Sequence, residues 1–143
     1  MKVERRRTIP AAQEVLWDIV SDPHHLPRWW PGVARVEDAT PEAWTKVLTS
    51  QKGKSVRADF TRVEYRPPHV LAWRQEVEES PFERILSEGV TRISLEPTAS
   101  GETDVELQLV QRLRGLARFG GFMVRLASRR RLDEALDRLE QIA

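Results

Sequence analysis

The chain contains no cysteine, and this absence removes a class of functions. Without a thiol there can be no disulfide, thiolate zinc site, iron–sulfur cluster or cysteine nucleophile. Histidine is also scarce, and His24, His25 and His69 do not have the spacing of a metal-binding motif. We therefore predict three surface histidines, no metal site and no cofactor.

A dominant charge of one sign is missing as well, because the chain has 23 basic and 22 acidic residues and a net charge of +1. A nucleic-acid-binding protein needs a sustained positive field, so we expect no nucleic-acid partner. The distribution is uneven, since the segment from Arg112 to Arg131 contains seven arginines and no acid. This segment is either a solvated face or a surface that attracts an anionic ligand or a lipid headgroup.

Long hydrophobic runs are absent too. No apolar segment approaches the ~20 residues that cross a bilayer, so we expect no stable membrane insertion. The basic start, Met1 to Arg7, has no apolar segment behind it, and we expect no signal peptide and a cytoplasmic protein. The length predicts a single domain over residues 1–143.

Apolar periodicity predicts an α+β chain with most strands in one antiparallel meander. A strand over Lys2–Ile9 precedes a helix over Ala12–Val20 and a shorter helical turn over His24–Trp30. Six further strands follow, separated by short turns that join antiparallel neighbours. Their predicted ranges are Val33–Asp38, Ala43–Gln51, Ser55–Tyr65, Val70–Glu78, Arg84–Glu96 and Thr103–Arg112.

The longest strand changes its alternation in the middle. Val56, Ala58 and Phe60 share one parity, whereas Val63 and Tyr65 have the other. This change predicts a β-bulge, which would bend the sheet and let it enclose a cavity.

After Gly115 the pattern predicts a helix to the end of the chain, with two apolar stripes on nearly opposite sides. A straight helix cannot bury both stripes, so we expect a kink near Ser128–Arg131 or a break at Gly120–Gly121. A stripe left uncovered could pair two subunits in a homodimer. The first stripe is Leu116, Phe119, Met123, Leu126 and Ala127, and the second is Leu132, Ala135, Leu136 and Leu139.

The segments IPAAQEVLWDIVSDP (Ile9 to Pro23) and LPRWWPGV (Leu26 to Val33) resemble the opening of the START-like or SRPBCC superfamily. They are most similar to its polyketide cyclase/dehydrase and lipid-transport group. The later segments TRISLEP (Thr91 to Pro97) and GET (Gly101 to Thr103) look like the paired late strands of that group. The resemblance covers essentially the whole chain.

This resemblance implies a helix-grip fold, in which a curved seven-stranded antiparallel sheet wraps around a long C-terminal helix. Two short helices follow the first strand, and an apolar cavity lies between the sheet and the long helix. The independent strand count of one plus six agrees. Because this fold serves many functions, it does not by itself identify one.

The implied function is the binding or carriage of a hydrophobic small molecule, such as a lipid, isoprenoid or polyketide. Two alternatives stay open: a cyclase or dehydratase, and a protein-interaction module like the chaperone activators of the superfamily. The sequence contains no Gly-x-Ser-x-Gly or phosphate-binding glycine motif, and we assign no catalytic residue. The predicted ligand-binding residues are aromatic or apolar side chains and two polar groups of inward parity: Trp29, Phe60, Trp73, Gln75, Thr91, Phe119 and Met123.

Overall fold

Seven antiparallel strands form one curved sheet in the order β1-β7-β6-β5-β4-β3-β2. The computed structural model describes residues 1–49 and 52–143. Neighbours in the sheet are neighbours in the chain, except that β1 closes against β7. The strands are β1 Lys2–Ile9, β2 Val33–Glu37, β3 Ala43–Thr49, β4 Ser55–Arg66, β5 Val70–Glu76, β6 Leu86–Pro97 and β7 Thr103–Leu113.

Two short helical segments follow β1, and one long helix ends the chain. The predicted first helix and the predicted helical turn are both confirmed, and the turn consists of a 3₁₀ turn that leads into α2. The helices are α1 Gln13–Val20, a 3₁₀ helix Pro23–His25, α2 Leu26–Trp29, a 3₁₀ helix Gly115–Gly120 and α3 Gly121–Ile142. No helix in the described ranges has the length and apolarity needed to span a membrane.

The predicted strands are confirmed to within two residues at each end that the structure describes. The predicted end of the third strand, at Gln51, lies outside the described residues. The predicted bulge is also present, because the pairing of β4 with β5 shifts between Arg62 and Glu64. It bends the sheet where the alternation changes.

The long helix grips the sheet through its C-terminal half. Leu132, Leu136 and Leu139 are fully buried against the inner face of the sheet. On that face Leu71, Ile93 and Leu107 lie side by side in register and are also buried. Two ion pairs fasten β1 to the same half of α3: Arg5 Nε lies 3.1 Å from Asp133, and Arg7 Nη1 lies 2.5 Å from Asp137.

The N-terminal half of the C-terminal helical region does not bury its apolar stripe. Leu116 is 86% exposed, Phe119 is 83% exposed and Met123 is 67% exposed. The helix does change type at the predicted Gly120–Gly121 position. The first stripe is thus the one left uncovered, whereas the second is buried.

Candidate functional site

A cavity of about 520 Å³ lies where the N-terminal half of α3 stands away from the inner face of the sheet. Its walls come from β3 to β7, from the loop before β2 and from one side of the C-terminal helical region. Most of the side chains are apolar, and a volume of this size is typical of sites for small organic ligands. The apolar lining includes Trp30, Leu48, Val56, Phe60, Phe82, Leu86, Leu109, Leu113 and Val124.

Polar groups occupy one row of the inner face. Gln75 on β5 and Gln111 on β7 both line the cavity, and Gly89 of β6 lies between them, opposite Gln111 in register. A Cβ atom placed on Gly89 would lie 3.7 Å from Gln75 Oε1, so the missing side chain leaves free space beside that amide. Among the described residues, neither the buried Gln75 Nε2 nor the buried Gln111 Oε1 has a hydrogen-bond partner.

Lys46 on β3 is the most unusual side chain of the cavity wall. It is only 2% exposed, and its ammonium lies among three aromatic rings. The distances from Nζ to the ring centroids are 4.2 Å for Phe60, 4.8 Å for Trp73 and 4.9 Å for Trp30. Such cation–π contacts stabilise an ammonium, but each supplies only about 0.5–2 kcal/mol.

The environment of Lys46 disfavours its charge. Burial, together with the nearby positive charge of Arg131, lowers the pKa of Lys46 from its ordinary value of 10.5 to about 7. Desolvation acts in this direction because a low dielectric penalises the charged form. Near neutral pH the amine is therefore divided between its charged and neutral forms, and a small change in its surroundings shifts the balance.

The cavity wall carries positive charge without negative charge. Lys46 and Arg131 are its charged groups, and the described residues that line it include no aspartate or glutamate. Asp59 is close to Lys46 in the strand pairing, but its carboxylate accepts a hydrogen bond of 2.6 Å from the Thr45 hydroxyl. Within the described part of the chain, no acidic side chain forms an ion pair with Lys46.

The structure brings three of the seven predicted ligand-binding residues to the cavity wall: Phe60, Gln75 and Thr91. Trp73 lies directly behind the wall, 1% exposed, with its ring against Lys46. Phe119 and Met123 do not meet the cavity, since both side chains point to solvent. The opposite side of their segment faces the sheet and lines the cavity through Ala117 and Val124.

Of the two adjacent tryptophans, Trp30 and not the predicted Trp29 meets the cavity. Trp29, the predicted ligand contact, is fully buried in the core, whereas Trp30 lines the cavity. Both rings point inward, with centroids 5.4 Å apart and an interplanar angle of 87°. This is possible because α2 ends at Trp29 and Trp30 has an extended backbone with ψ of 120°.

Lys46 was missed by the sequence analysis, although the strand pattern contains a signal for it. Trp44, Lys46 and Leu48 share one parity on β3, so a lysine interrupts an apolar face. A lysine in such a position is ordinarily taken for an edge or solvent contact. The aromatic rings that bury it come from distant segments, and strand alternation does not report them.

The histidines lie away from the cavity. His24 and His25 both approach the Asp22 carboxylate, at 3.0 and 3.7 Å. The Nδ1 atom of His69 lies 3.2 Å from Gln13 Nε2, and the same Gln13 nitrogen donates a hydrogen bond to the Leu95 carbonyl oxygen. These contacts are structural. In the described ranges, no three His, Asp or Glu side chains are grouped as a metal site requires.

A second groove, of about 640 Å³, lies on the outer face of β1, β6 and β7. Its charged side chains already have partners. Arg6 Nε lies 2.5 Å from Glu106, and Asp104 accepts a hydrogen bond of 2.5 Å from the Thr8 hydroxyl. Arg7 pairs with Asp137, and Glu96 lies 3.7 Å from His69. Because these groups are occupied, the groove offers a ligand little that it could pair with. The internal cavity is the better candidate site.

Comparisons with known proteins agree with this architecture. Over residues 1–143 the sequence matches the family model described as polyketide cyclase / dehydrase and lipid transport. A comparison with curated proteins finds no match. The crystal structure of a conserved protein from Geobacillus kaustophilus superposes with a TM-score of 0.81 at 14% identity, covering 99% of this chain and 93% of that one.

Two di-domain ARO/CYC proteins from biosynthetic pathways also share the fold. BexL, from the BE-7585A pathway, has a TM-score of 0.79 and 19% identity, and the match covers 99% of this chain and 45% of that one. StfQ, from the steffimycin pathway, has a TM-score of 0.76 and 16% identity, over 98% and 49% of the two chains. This chain therefore spans about half of each di-domain protein, and identities this low establish a common fold only.

Proposed function

Because the chain belongs to the polyketide cyclase/dehydrase and lipid-transport family, we propose that it binds a hydrophobic small molecule in the cavity between the sheet and α3. The observation that carries this proposal is the mostly apolar cavity of about 520 Å³. Its row of polar side chains includes buried atoms of Gln75 and Gln111 without partners in the described structure. Such atoms are costly to bury unless water or a ligand satisfies them.

Apolar burial is sufficient to drive this binding. At roughly 25 cal/mol per Å², removing about 300 Å² of ligand surface from water contributes about 7.5 kcal/mol before the costs of association. The amides of Gln75 and Gln111 would then orient the ligand rather than supply most of the affinity. This division of roles is typical of small-molecule sites.

Native mass spectrometry and calorimetry test the proposal. We expect purified protein incubated with a bacterial lipid extract to retain a bound species, and 2-naphthamide, a neutral planar probe, to bind saturably with one molecule per chain. If neither the extract nor the probe yields a complex, the cavity is not a ligand site and the proposal fails.

A second candidate function is a cyclase, and Lys46 is the observation that favours it. A general base works best when its pKa is close to the operating pH, and burial places the pKa of Lys46 at about 7. In its neutral form the amine would take a proton from a methylene between two carbonyls. The resulting carbanion would attack the carbon of a further carbonyl elsewhere in the same molecule, and a ring would close. The protonated amine would then return its proton to the oxygen of that carbonyl.

A linear poly-β-keto thioester distinguishes the two functions. The cyclase candidate requires a cyclised product with the unaltered protein and its loss in Lys46→Met, while 2-naphthamide binding persists in that variant. Product that survives Lys46→Met, or no product above the uncatalysed rate, removes this candidate and leaves binding as the function.

A further inference from the structure

We propose that the cavity selects a hydrophobic acid, whose carboxylate pairs with the ammonium of Lys46. The inference rests on the proposed function, since it names the chemical class of the ligand that occupies the same cavity. It begins from an unmatched charge: Lys46 is 2% exposed, and the described residues provide it with no hydrogen-bond acceptor and no carboxylate.

The aromatic rings around Lys46 compensate its charge only in part. Phe60, Trp73 and Trp30 present their faces to Nζ at 4.2 to 4.9 Å, but an aromatic face accepts no conventional hydrogen bond. A buried ammonium without a hydrogen-bonded counter-ion is costly. A ligand carboxylate at this position would supply both the opposite charge and the missing acceptors.

The other groups that face Lys46 strengthen this preference for an anion. Trp30 before β2, Phe60 on β4 and Trp73 on β5 carry no charge, and α3 contributes Arg131, whose positive charge acts on Lys46. The amide donor Gln75 Nε2 is also without a partner among the described residues. An anion in the cavity therefore meets two cations and a free donor, whereas a cationic ligand would be repelled.

The remaining wall sets the shape of the ligand. Beyond the polar row, the lining is dominated by aliphatic and aromatic side chains such as Val56, Leu86 and Leu109. The molecule that fits both regions has a mostly apolar body and one acidic end. Aromatic carboxylic acids and medium-chain fatty acids satisfy this description.

Two isosteric probes test the inference. We expect 2-naphthoic acid to bind at least tenfold more tightly than 2-naphthamide at pH 6.5, where the acid is ionised. In Lys46→Met this ratio should fall most of the way towards one, since only Arg131 then remains to attract the acid, while amide binding is retained. The control is Arg130→Met, which removes a neighbouring charge that does not line the cavity and should leave the ratio unchanged.

The outcomes separate this inference from the proposed function. If neither probe binds, the proposed function fails; if both bind equally well to the unaltered protein, only the preference for an acid is wrong. The pH profile of the unaltered protein gives a test that does not depend on how the variant folds. Between pH 7 and pH 9 the acid should lose affinity while the amide does not, because free Lys46 deprotonates in this range. An equal pH profile for both probes would overturn the inference.

A separate observation concerns the outer side of the segment that covers the cavity. Leu116, Phe119, Phe122 and Met123, which we call the apolar patch, are 67–86% exposed. The segment from Arg112 to Arg131 that carries this patch contains seven arginines and no acid. Exposed aromatic and aliphatic side chains flanked by arginines are typical of segments that lie in the interface of an anionic membrane.

We infer that the apolar patch docks on an anionic lipid bilayer. Charge complementarity favours lipid phosphates as its occupant, since Arg118, Arg129 and Arg130 form no ion pair with an acid in the described part of the chain. The inner side of the same segment, through Ala117 and Val124, lines the cavity. Docking would therefore hold the cavity close to the bilayer, from which a hydrophobic ligand is exchanged.

Vesicle sedimentation tests this inference. We expect the protein to pellet with vesicles of equal parts phosphatidylcholine and phosphatidylglycerol, but not with pure phosphatidylcholine, and to be released by 0.5 M NaCl. Replacing both Phe119 and Phe122 by serine should abolish binding. The control is the double change Val15→Ser and Val63→Ser, which alters exposed apolar residues elsewhere. Absence of vesicle binding would overturn the lipid assignment. So would a protein that is a dimer in solution and becomes a monomer when Phe119 and Phe122 are replaced, because the patch would then bind a second copy of the chain.

Discussion

At the scale of single residues, Lys46 is the position where sequence and environment disagree most. An exposed lysine carries a full charge at every physiological pH, whereas burial beside Arg131 lowers the pKa of this one to about 7. In the unfolded chain the side chain returns to a pKa of about 10.4. Between these two values the unfolded state binds more protons than the folded state, so this group makes stability rise with pH from about 7 to about 10.

We expect the change Lys46→Met to remove this rise in stability. The free energy of unfolding of the unaltered protein should increase by up to about 1.4 kcal/mol per pH unit between pH 7 and pH 9, relative to the variant. Below pH 7 the two curves should run parallel, because the lysine is then protonated in both states. Urea denaturation at several pH values measures the difference, and curves that stay parallel up to pH 9 would show that Lys46 is not desolvated.

At the scale of secondary-structure elements, α3 has two halves with different roles. Its C-terminal half is held by apolar burial and by ion pairs to β1. Its N-terminal half covers the cavity with one side and exposes apolar residues on the other. One helix can serve both purposes because a 3.6-residue period presents different faces to different surroundings along its length.

Two leucine truncations on α3 should therefore have unequal effects. Leu136→Ala removes a fully buried side chain and should lower the free energy of unfolding by about 3 kcal/mol. Leu126→Ala, at a site that is 36% exposed, should lower it by less than about 1 kcal/mol. Chemical denaturation of both variants compares them directly. Similar losses would mean that the N-terminal half of the helix is packed more tightly than the structure indicates.

The elements themselves could be predicted from the sequence because their signals are local. Strand alternation, proline and glycine turns and the change of parity after Phe60 depend on near neighbours in the chain. The burial of the two helical stripes depends on distant partners. For that reason the stripe of Phe119 and Met123 could be recognised as apolar, but its exposure could not be predicted.

At the scale of the whole molecule, the cavity leaves room for a ligand but lowers the packing density of the interior. Glycine at position 89 leaves open the space between Gln75 and Gln111, and a larger side chain there would fill part of the cavity. Filling an internal space with apolar atoms generally stabilises a protein when no strain is introduced. Space that is kept open for a ligand therefore comes at the expense of stability.

We expect Gly89→Leu to weaken 2-naphthamide binding at least tenfold without loss of the fold. The matched control, Gly89→Ala, should bind almost normally, because its Cβ atom would make ordinary contacts of 3.4 Å or more with Leu86 and Gln75. Calorimetry measures binding, and circular dichroism checks the fold. Normal binding by a folded Gly89→Leu protein would place the ligand elsewhere.

Only some of the residues that line the cavity could be predicted from the sequence. Phe60, Gln75 and Thr91 were accessible to it because inward parity on a strand is a local property. Which of the two adjacent tryptophans meets the cavity depends on where α2 ends, and the structure places Trp30 there instead of Trp29. Lys46 was not recognised, because the rings that enclose it belong to three other segments.

The order of the elements, the pairing of the consecutive strands β2 to β7 and the bulge follow from the sequence alone, since backbone preferences and apolar alternation act over a few residues. Which face of α3 is buried, which tryptophan meets the cavity and what surrounds Lys46 were decided only by the tertiary structure. Burial and pKa depend on the sum of contacts from segments far apart in the chain, and that sum exists only once the sheet has curved around the helix.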